Sequence, residues 1–220
     1  IRSISPDKWK ILRVLPVISN ELAVTDREFS AFLDRHQSLR AIISGEDNRD
    51  MVESYIMIDP QGRFWVGTIF EPRNADAAEM FVLEKGQVRK VWSGGMTVSN
   101  GLGFSPDKRT MYHADTTTHR IDRFDFDAVT GAISAPHPFQ RFSTDKKALD
   151  YGGRPDGAAV DSEGNYWVAM FEGARLVKLS PSGELIGEIA LPVRCPTMMA
   201  FGGADLRTLY FHQPPGRCGP

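Results

Sequence analysis

The chain has 220 residues, enough for one large domain or two small ones with a sizeable core. Lys plus Arg total 26 against 28 for Asp plus Glu, and the net charge of -2 offers no electrostatic reason to bind nucleic acid or an anionic membrane. A small neutral or anionic ligand fits better, and no apolar run approaches the roughly 18 residues of a membrane-spanning helix.

The N-terminal stretch IRSISPDKWK is charged and has no apolar signal core, so a cytoplasmic location is expected; it also lacks an initiator methionine, as a fragment would. Residues 1–55 carry no repeat unit and read as a divergent N-terminal segment. Within it TDREFSAFLDRHQSL, residues 25–39, predicts a helix: Thr25 is an N-cap with Glu28 three residues on, and Phe29, Phe32, Leu33, His36 and Leu39 form a helical stripe. His36 on that stripe reads as a packed histidine, not a ligand.

From residue 56 the pattern changes to a repeat. Four segments combine a turn with a strand of aromatic and β-branched residues: IDPQGRFWVGTI (58–69), FSPDKRTMYHADT (104–116), VDSEGNYWVAMF (160–171) and FGGADLRTLYFH (201–212). Aligning Trp65, Tyr112, Trp167 and Tyr210 gives spacings of 47, 55 and 43 residues, about the length of one propeller blade. Gly in DPQGR and DSEGN supplies positive φ, and Asp bonds the backbone of its own turn. Between the repeats lie further strands, with Ile121, Phe124 and Phe126 in HRIDRFDFD, the turn AVTGA, and the hairpin RLVKLSPSGELIGEIAL. Residues 56–212 therefore read as β-blades around an axis, and residues 213–220, rich in Pro and Gly, as an irregular tail. Cys195 and Cys218 stand in no metal-ligand spacing and read as reduced thiols.

GxSxG, HExxH, P-loop and GxGxxG-helix motifs are all missing, which removes the usual support for serine hydrolase, zincin and nucleotide-binding chemistry. The candidates are oxygen donors: Asn100 in SNGLGFSPD and Asp156 in GGRPDGAAVD. Both stand just ahead of an apolar strand, at 102–104 and 158–160, in successive repeats. Asn-Gly and Asp-Gly are common turn dipeptides. Matched placement at two blade entrances instead brings both residues to one mouth of a central channel, where an amide oxygen and a carboxylate suit a hard divalent cation. Gly101 and Gly157 would let the backbone approach a ligand closely.

These motifs, in order and at their spacing over residues 56–212, resemble the gluconolactonase, regucalcin (senescence marker protein) and luciferin-regenerating-enzyme family. The resemblance implies an all-β, six-bladed β-propeller that holds one divalent metal ion (Ca²⁺, Zn²⁺, Mn²⁺ or Mg²⁺) and opens a sugar lactone to its aldonic acid. It makes Asn100 and Asp156 two of three metal-binding side chains, and Asp156 also the catalytic residue that deprotonates or orients water. Glu71, after VGTIF, falls one residue from a substrate-contacting acidic position.

Two departures qualify that picture. The family's third metal ligand is a glutamate in a GEGP-like motif, and neither Glu21 nor Glu46 has that motif or its spacing. The RxNDG-like element before DPxGRFW is replaced by VESYIM, residues 52–57. About four blades are recognisable, and an open propeller would expose two edges that favour edge-to-edge self-association. The leading reading is a metal-dependent lactonase, impaired if the N-terminal ligand is lost. A non-catalytic propeller that binds a metal or a partner is the alternative, and a calcium-dependent propeller esterase of the paraoxonase or strictosidine-synthase-like kind is a third.

Overall fold

The computed structural model describes residues 51–213, and the described residues are all-β, without a helix. The helix expected at 25–39, Glu21, Glu46 and all but the first residue of the tail lie outside them.

What builds the strands is visible in the turns that punctuate them. Asp59 closes the DPQGRFW turn: its Oδ1 accepts the backbone N–H of Gln61 (2.9 Å) and of Arg63 (3.0 Å), and its Oδ2 accepts the Trp65 indole N–H at 2.9 Å and the Arg63 Nε–H. Asp161 repeats the device in DSEGNYW, accepting Glu163 N–H (3.0 Å), Asn165 N–H (2.8 Å) and Trp167 Nε1–H (2.9 Å). Gly62 and Gly164 take the same place in the two turns at φ of 82° and 85°, which only glycine adopts without strain.

The strands form antiparallel meanders in chain order. The first sheet is β1 (Met51–Ile58), β2 (Phe64–Phe70), β3 (Glu79–Glu84) and β4 (Gln87–Ser93). The second is β5 (Ser99–Phe104), β6 (Thr110–Asp115) and β7 (Arg120–Asp127), with the short β8 (Ala132–Ile133) and β9 (His137–Arg141) both paired to β7. The third is β10 (Arg154–Val160), β11 (Tyr166–Phe171), β12 (Arg175–Leu179) and β13 (Leu185–Ala190), and the last is the hairpin of β14 (Met198–Gly202) and β15 (Thr208–His212). The first strands of successive sheets pack side by side, β1 on β5, β5 on β10 and β10 on β14, which is the arrangement of propeller blades around an axis.

The repeated aromatic position does the packing between sheets. Trp65 is fully buried and meets Phe104 and Phe126 of the second sheet edge-on, with ring centroids 5.7 and 6.0 Å apart. Tyr112 lies 5.1 Å from Tyr166 of the third sheet, and Trp167 lies 6.0 Å from Phe201 of the hairpin. Such aromatic pairs contribute about 0.5–1.5 kcal/mol each beyond their buried area. Arg63 adds a polar latch, donating to the carbonyls of Ala128 (2.7 Å) and Val129 (3.1 Å) in the AVTGA turn.

One expectation is overturned here. Cys195 is fully buried and disulfide-bonded, not a reduced thiol, and sequence spacing alone could not reveal that pairing.

Candidate functional site

Asn100 and Asp156 do not occupy turns. Asn100 is the second residue of β5 and Asp156 the third of β10, so the Asn-Gly and Asp-Gly dipeptides lie inside strands. The turn reading fails because a bulge uses the same residues. The pairing of β5 with β6 slips between Asn100 and Gly103, and that of β10 with β11 between Pro155 and Ala158. The first sheet slips at the corresponding place, between Glu53 and Tyr55. An extra residue in one strand of a pair re-aims a side chain, and here it stands on the first strand of three of the four sheets, the β14–β15 hairpin pairing without a slip.

The glycines after these donors serve the packing and not an approaching ligand. A Cβ on Gly101, at φ 55°, would stand 2.3 Å from the Tyr166 hydroxyl, 2.8 Å from Ala114 Cβ and 3.0 Å from the Asp156 carbonyl oxygen. A Cβ on Gly157 would meet Met198 Sδ and the Thr197 carbonyl oxygen, both at 2.5 Å. Both positions are glycine because neighbouring inner strands nearly touch there. The same closeness brings together the backbones that carry the two donors, β5 and β10. The Asn100 Nδ2–H donates to Thr116 Oγ1 at 2.9 Å, and that hydroxyl donates to the Pro155 carbonyl at 2.7 Å, one residue before Asp156. Tyr166 crosses the seam to donate its hydroxyl to the Gly101 carbonyl at 2.5 Å.

Thr116 and Tyr166 are the members of this arrangement that sequence reasoning missed. Tyr166 stood in a strand reading as an ordinary aromatic, and Thr116 was one of three threonines in HADTTTHR. Further support lies behind β5. Ser99 Oγ is 2.8 Å from His113 Nε2, both residues are buried, and Gly67 makes room, since a Cβ there would sit 1.8 Å from that oxygen. Burial holds the His113 ring down to about 3, so it is neutral. Asp115 braces the approach to β5, its Oδ1 accepting Val98 N–H at 3.0 Å and its Oδ2 the Thr118 hydroxyl at 2.8 Å.

The electrostatics of the two donors differ. Asn100 is buried and its amide nitrogen is committed to Thr116. Asp156 is half-buried, and burial pushes its carboxyl up to about 7. Arg154 opposes that shift, and the Gly157 N–H opposes it weakly because its main partner is the Thr197 carbonyl at 2.9 Å. A desolvated carboxylate with so little compensation, on the strand next to a buried asparagine, fits a divalent cation as part of its donor set. Two protein oxygens are fewer than such an ion takes, and no group of three His, Cys, Asp or Glu side chains disposed to hold a metal occurs among the described residues. Glu71 is exposed in the turn after β2, and its carboxylate is 3.9 Å from Arg73 Nη2; no contact joins it to the Asn100–Asp156 pair.

Comparison with known proteins places this geometry in context. Residues 12–212 match the family model described as the SMP-30/Gluconolactonase/LRE-like region, so the match begins upstream of residue 56, where the motifs become recognisable. The chain is 46% identical over 155 residues to a 6-deoxy-6-sulfogluconolactonase of Pseudomonas putida, covering 70% of this chain and 50% of that protein. It is 32% identical over 177 residues to a pentonolactonase of Haloferax volcanii, covering 80% of this chain and 56% of the relative. Among solved structures, a calcium-binding protein, regucalcin, from Agrobacterium tumefaciens superposes with a TM-score of 0.66 at 27% identity, over 73% of this chain and 52% of that one. The chain thus spans about half the length of the relatives it matches.

Proposed function

The chain belongs to the SMP-30/gluconolactonase/LRE-like family, and from that premise we propose that it is the part of a metal-dependent lactonase that carries the catalytic carboxylate, in a six-bladed propeller. The observation that supports it is that Asn100 and Asp156 stand at matched bulges of the neighbouring strands β5 and β10, with the carboxylate under-compensated. Lactonases among the relatives support a sugar lactone as substrate, and the regucalcin likeness supports a divalent metal, Ca²⁺, Zn²⁺, Mn²⁺ or Mg²⁺.

In this reading Asn100 and Asp156 would contribute oxygen donors to the ion. When bound, a divalent cation supplies Lewis-acid polarisation of the lactone carbonyl. Asp156 would also orient the attacking water or take its proton, and as a metal ligand it would be a weak base, which favours orientation. Thr116 and Tyr166 fix the two strands so that the donors keep their separation. Glu71 stays a candidate substrate contact at the rim.

The test is lactone opening followed with a pH indicator, with and without added Ca²⁺, Mn²⁺ or Zn²⁺. Asp156→Ala is expected to lower kcat/KM by at least about 100-fold, the scale of a general base or a metal ligand. Activity that ignores both metal and substitution sinks the proposal. Because no group of three metal-ligating side chains occurs among the described residues, one rival is kept, a propeller that binds metal without turnover. Calorimetric metal binding with no turnover on any aldonolactone would select it.

A further inference from the structure

Next to Asp156 the structure holds a cationic group that the lactonase reading does not use. The connection from β9 to β10 brings Lys146 and Tyr151 to Glu172, in the turn between β11 and β12. Lys146 Nζ is 3.0 Å, Tyr151 Oη 3.1 Å and Arg154 Nε 3.5 Å from the same oxygen, Glu172 Oε2. One carboxylate is thus shared by two cations, and Lys146 already matches its charge. The Arg154 guanidinium stacks on Phe171, its Cζ 5.0 Å from the ring centroid. Its Nε is buried without a hydrogen-bond partner.

An arginine so held is a pre-organised fork with an unspent donor. Stacking and the ion pair fix the plane, and a planar guanidinium matches the oxygens of a phosphate or sulfonate bidentately. The loops that carry it are clamped together: a Cβ on Gly173 would lie 2.1 Å from the Gly152 carbonyl oxygen, and Gly153 sits at φ 86° against the same turn. His119 beside the cluster has its ring held below its usual range by burial, against the Ser143 carbonyl bond, with the Arg154 and Lys146 charges adding to the shift and Glu172 opposing it. Arg154 and Asp156 are two residues apart on β10, their Cα atoms about 7 Å apart in an extended strand. That is the length scale of a six-carbon lactone.

We propose that Arg154, with Lys146 behind it, is a subsite for an anionic substituent on the lactone, a phosphate or sulfonate at the end remote from the ring carbonyl. This rests on the lactonase reading above. A substrate anchored at Arg154 lays its carbonyl toward Asp156 and Asn100, so the subsite selects charged over neutral lactones chiefly through KM.

The experiment compares initial rates on glucono-1,5-lactone, its 6-phosphate and its 6-deoxy-6-sulfonate, with calorimetric binding of the three ring-opened acids in the presence of metal. Wild type is expected to prefer at least one charged lactone by tenfold or more in kcat/KM, and the arm that wins identifies the anion. Arg154→Met keeps length and stacking but not charge, and should collapse that preference at least tenfold. Arg154→Lys should restore part of it, and Lys146→Ala should reduce it by less. A preference near one in wild type, or one unmoved by Arg154→Met and Lys146→Ala together, overturns the subsite. If no lactone is opened, the lactonase reading fails instead. The binding arm then decides the subsite alone: charged acids must bind tighter than gluconate and lose that advantage in Arg154→Met.

Discussion

Asp59 and Asp161 end the inner strands β1 and β10, whereas Asp156 stands near the opposite end of β10, and the three carboxylates have been given opposite environments. Asp59 is buried under two backbone N–H groups, an indole N–H and a guanidinium. Asp161 has a comparable set of donors. Asp156 is desolvated as well, yet only Arg154 and a mostly committed Gly157 N–H offset its charge. The same residue type is thus saturated where it closes a turn and left wanting where inner strands converge. A carboxylate left short of donors costs stability, and it persists where a ligand supplies what the fold withholds.

The saturated end gives the largest expected effect. Asp59→Ala leaves the Arg63 guanidinium buried beside two orphaned backbone N–H groups and an unpaired indole N–H, which should cost about 3–5 kcal/mol. Urea denaturation measures this, and turnover per folded molecule should stay within about twofold. A variant that keeps its stability but loses turnover would break the division between the two ends.

Asp156→Asn should move stability the other way. With a folded-state value of about 7 against 3.8 for the free side chain, the folded chain holds this proton more tightly than the unfolded one. The contribution is therefore fully present below 3.8 and lost as pH rises through 7. In metal-free protein at pH 8, Asp156→Asn removes the penalty of a buried charge and should gain on the order of 3 kcal/mol. Near pH 4 the gain should vanish, while lactone opening is lost at every pH. Equal stability of wild type and variant at pH 8 would mean that the carboxylate is compensated after all, and the contrast with Asp59 would collapse.

Much of the strand pattern was legible in the sequence. Turn chemistry and the aromatic spacing located the strands, because Gly at positive φ and an Asp bonding its own turn act within a few residues. The aligned Trp65, Tyr112 and Trp167 proved to be the residues that pack each sheet on the next. The bulges were not legible. Asn-Gly and Asp-Gly look alike in a turn and in a slipped strand, and only the partner strand decides which forms. For the same reason Gly101 and Gly157 signalled openness to a ligand, whereas they mark where two backbones meet. Thr116, Tyr166 and the fork of Arg154 act across 39, 65 and 18 residues, or by contact with another sheet, and such relations leave no local pattern.

The finest test of the site's rigidity is Tyr166→Phe. The substitution keeps the ring against Tyr112 and Phe139 and removes only the hydroxyl that crosses to the Gly101 carbonyl. About 1 kcal/mol of stability should be lost, because a buried carbonyl goes short of a donor. If the bulges exist to hold Asn100 against Asp156, the loss should also appear as weaker metal binding, several-fold in calorimetry, since the bond joins the strand of one donor to the strand after the other. A variant that loses stability while binding metal as tightly as wild type would show that Thr116 alone keeps the donors together. The carboxylate would then owe its exposure to β10 by itself.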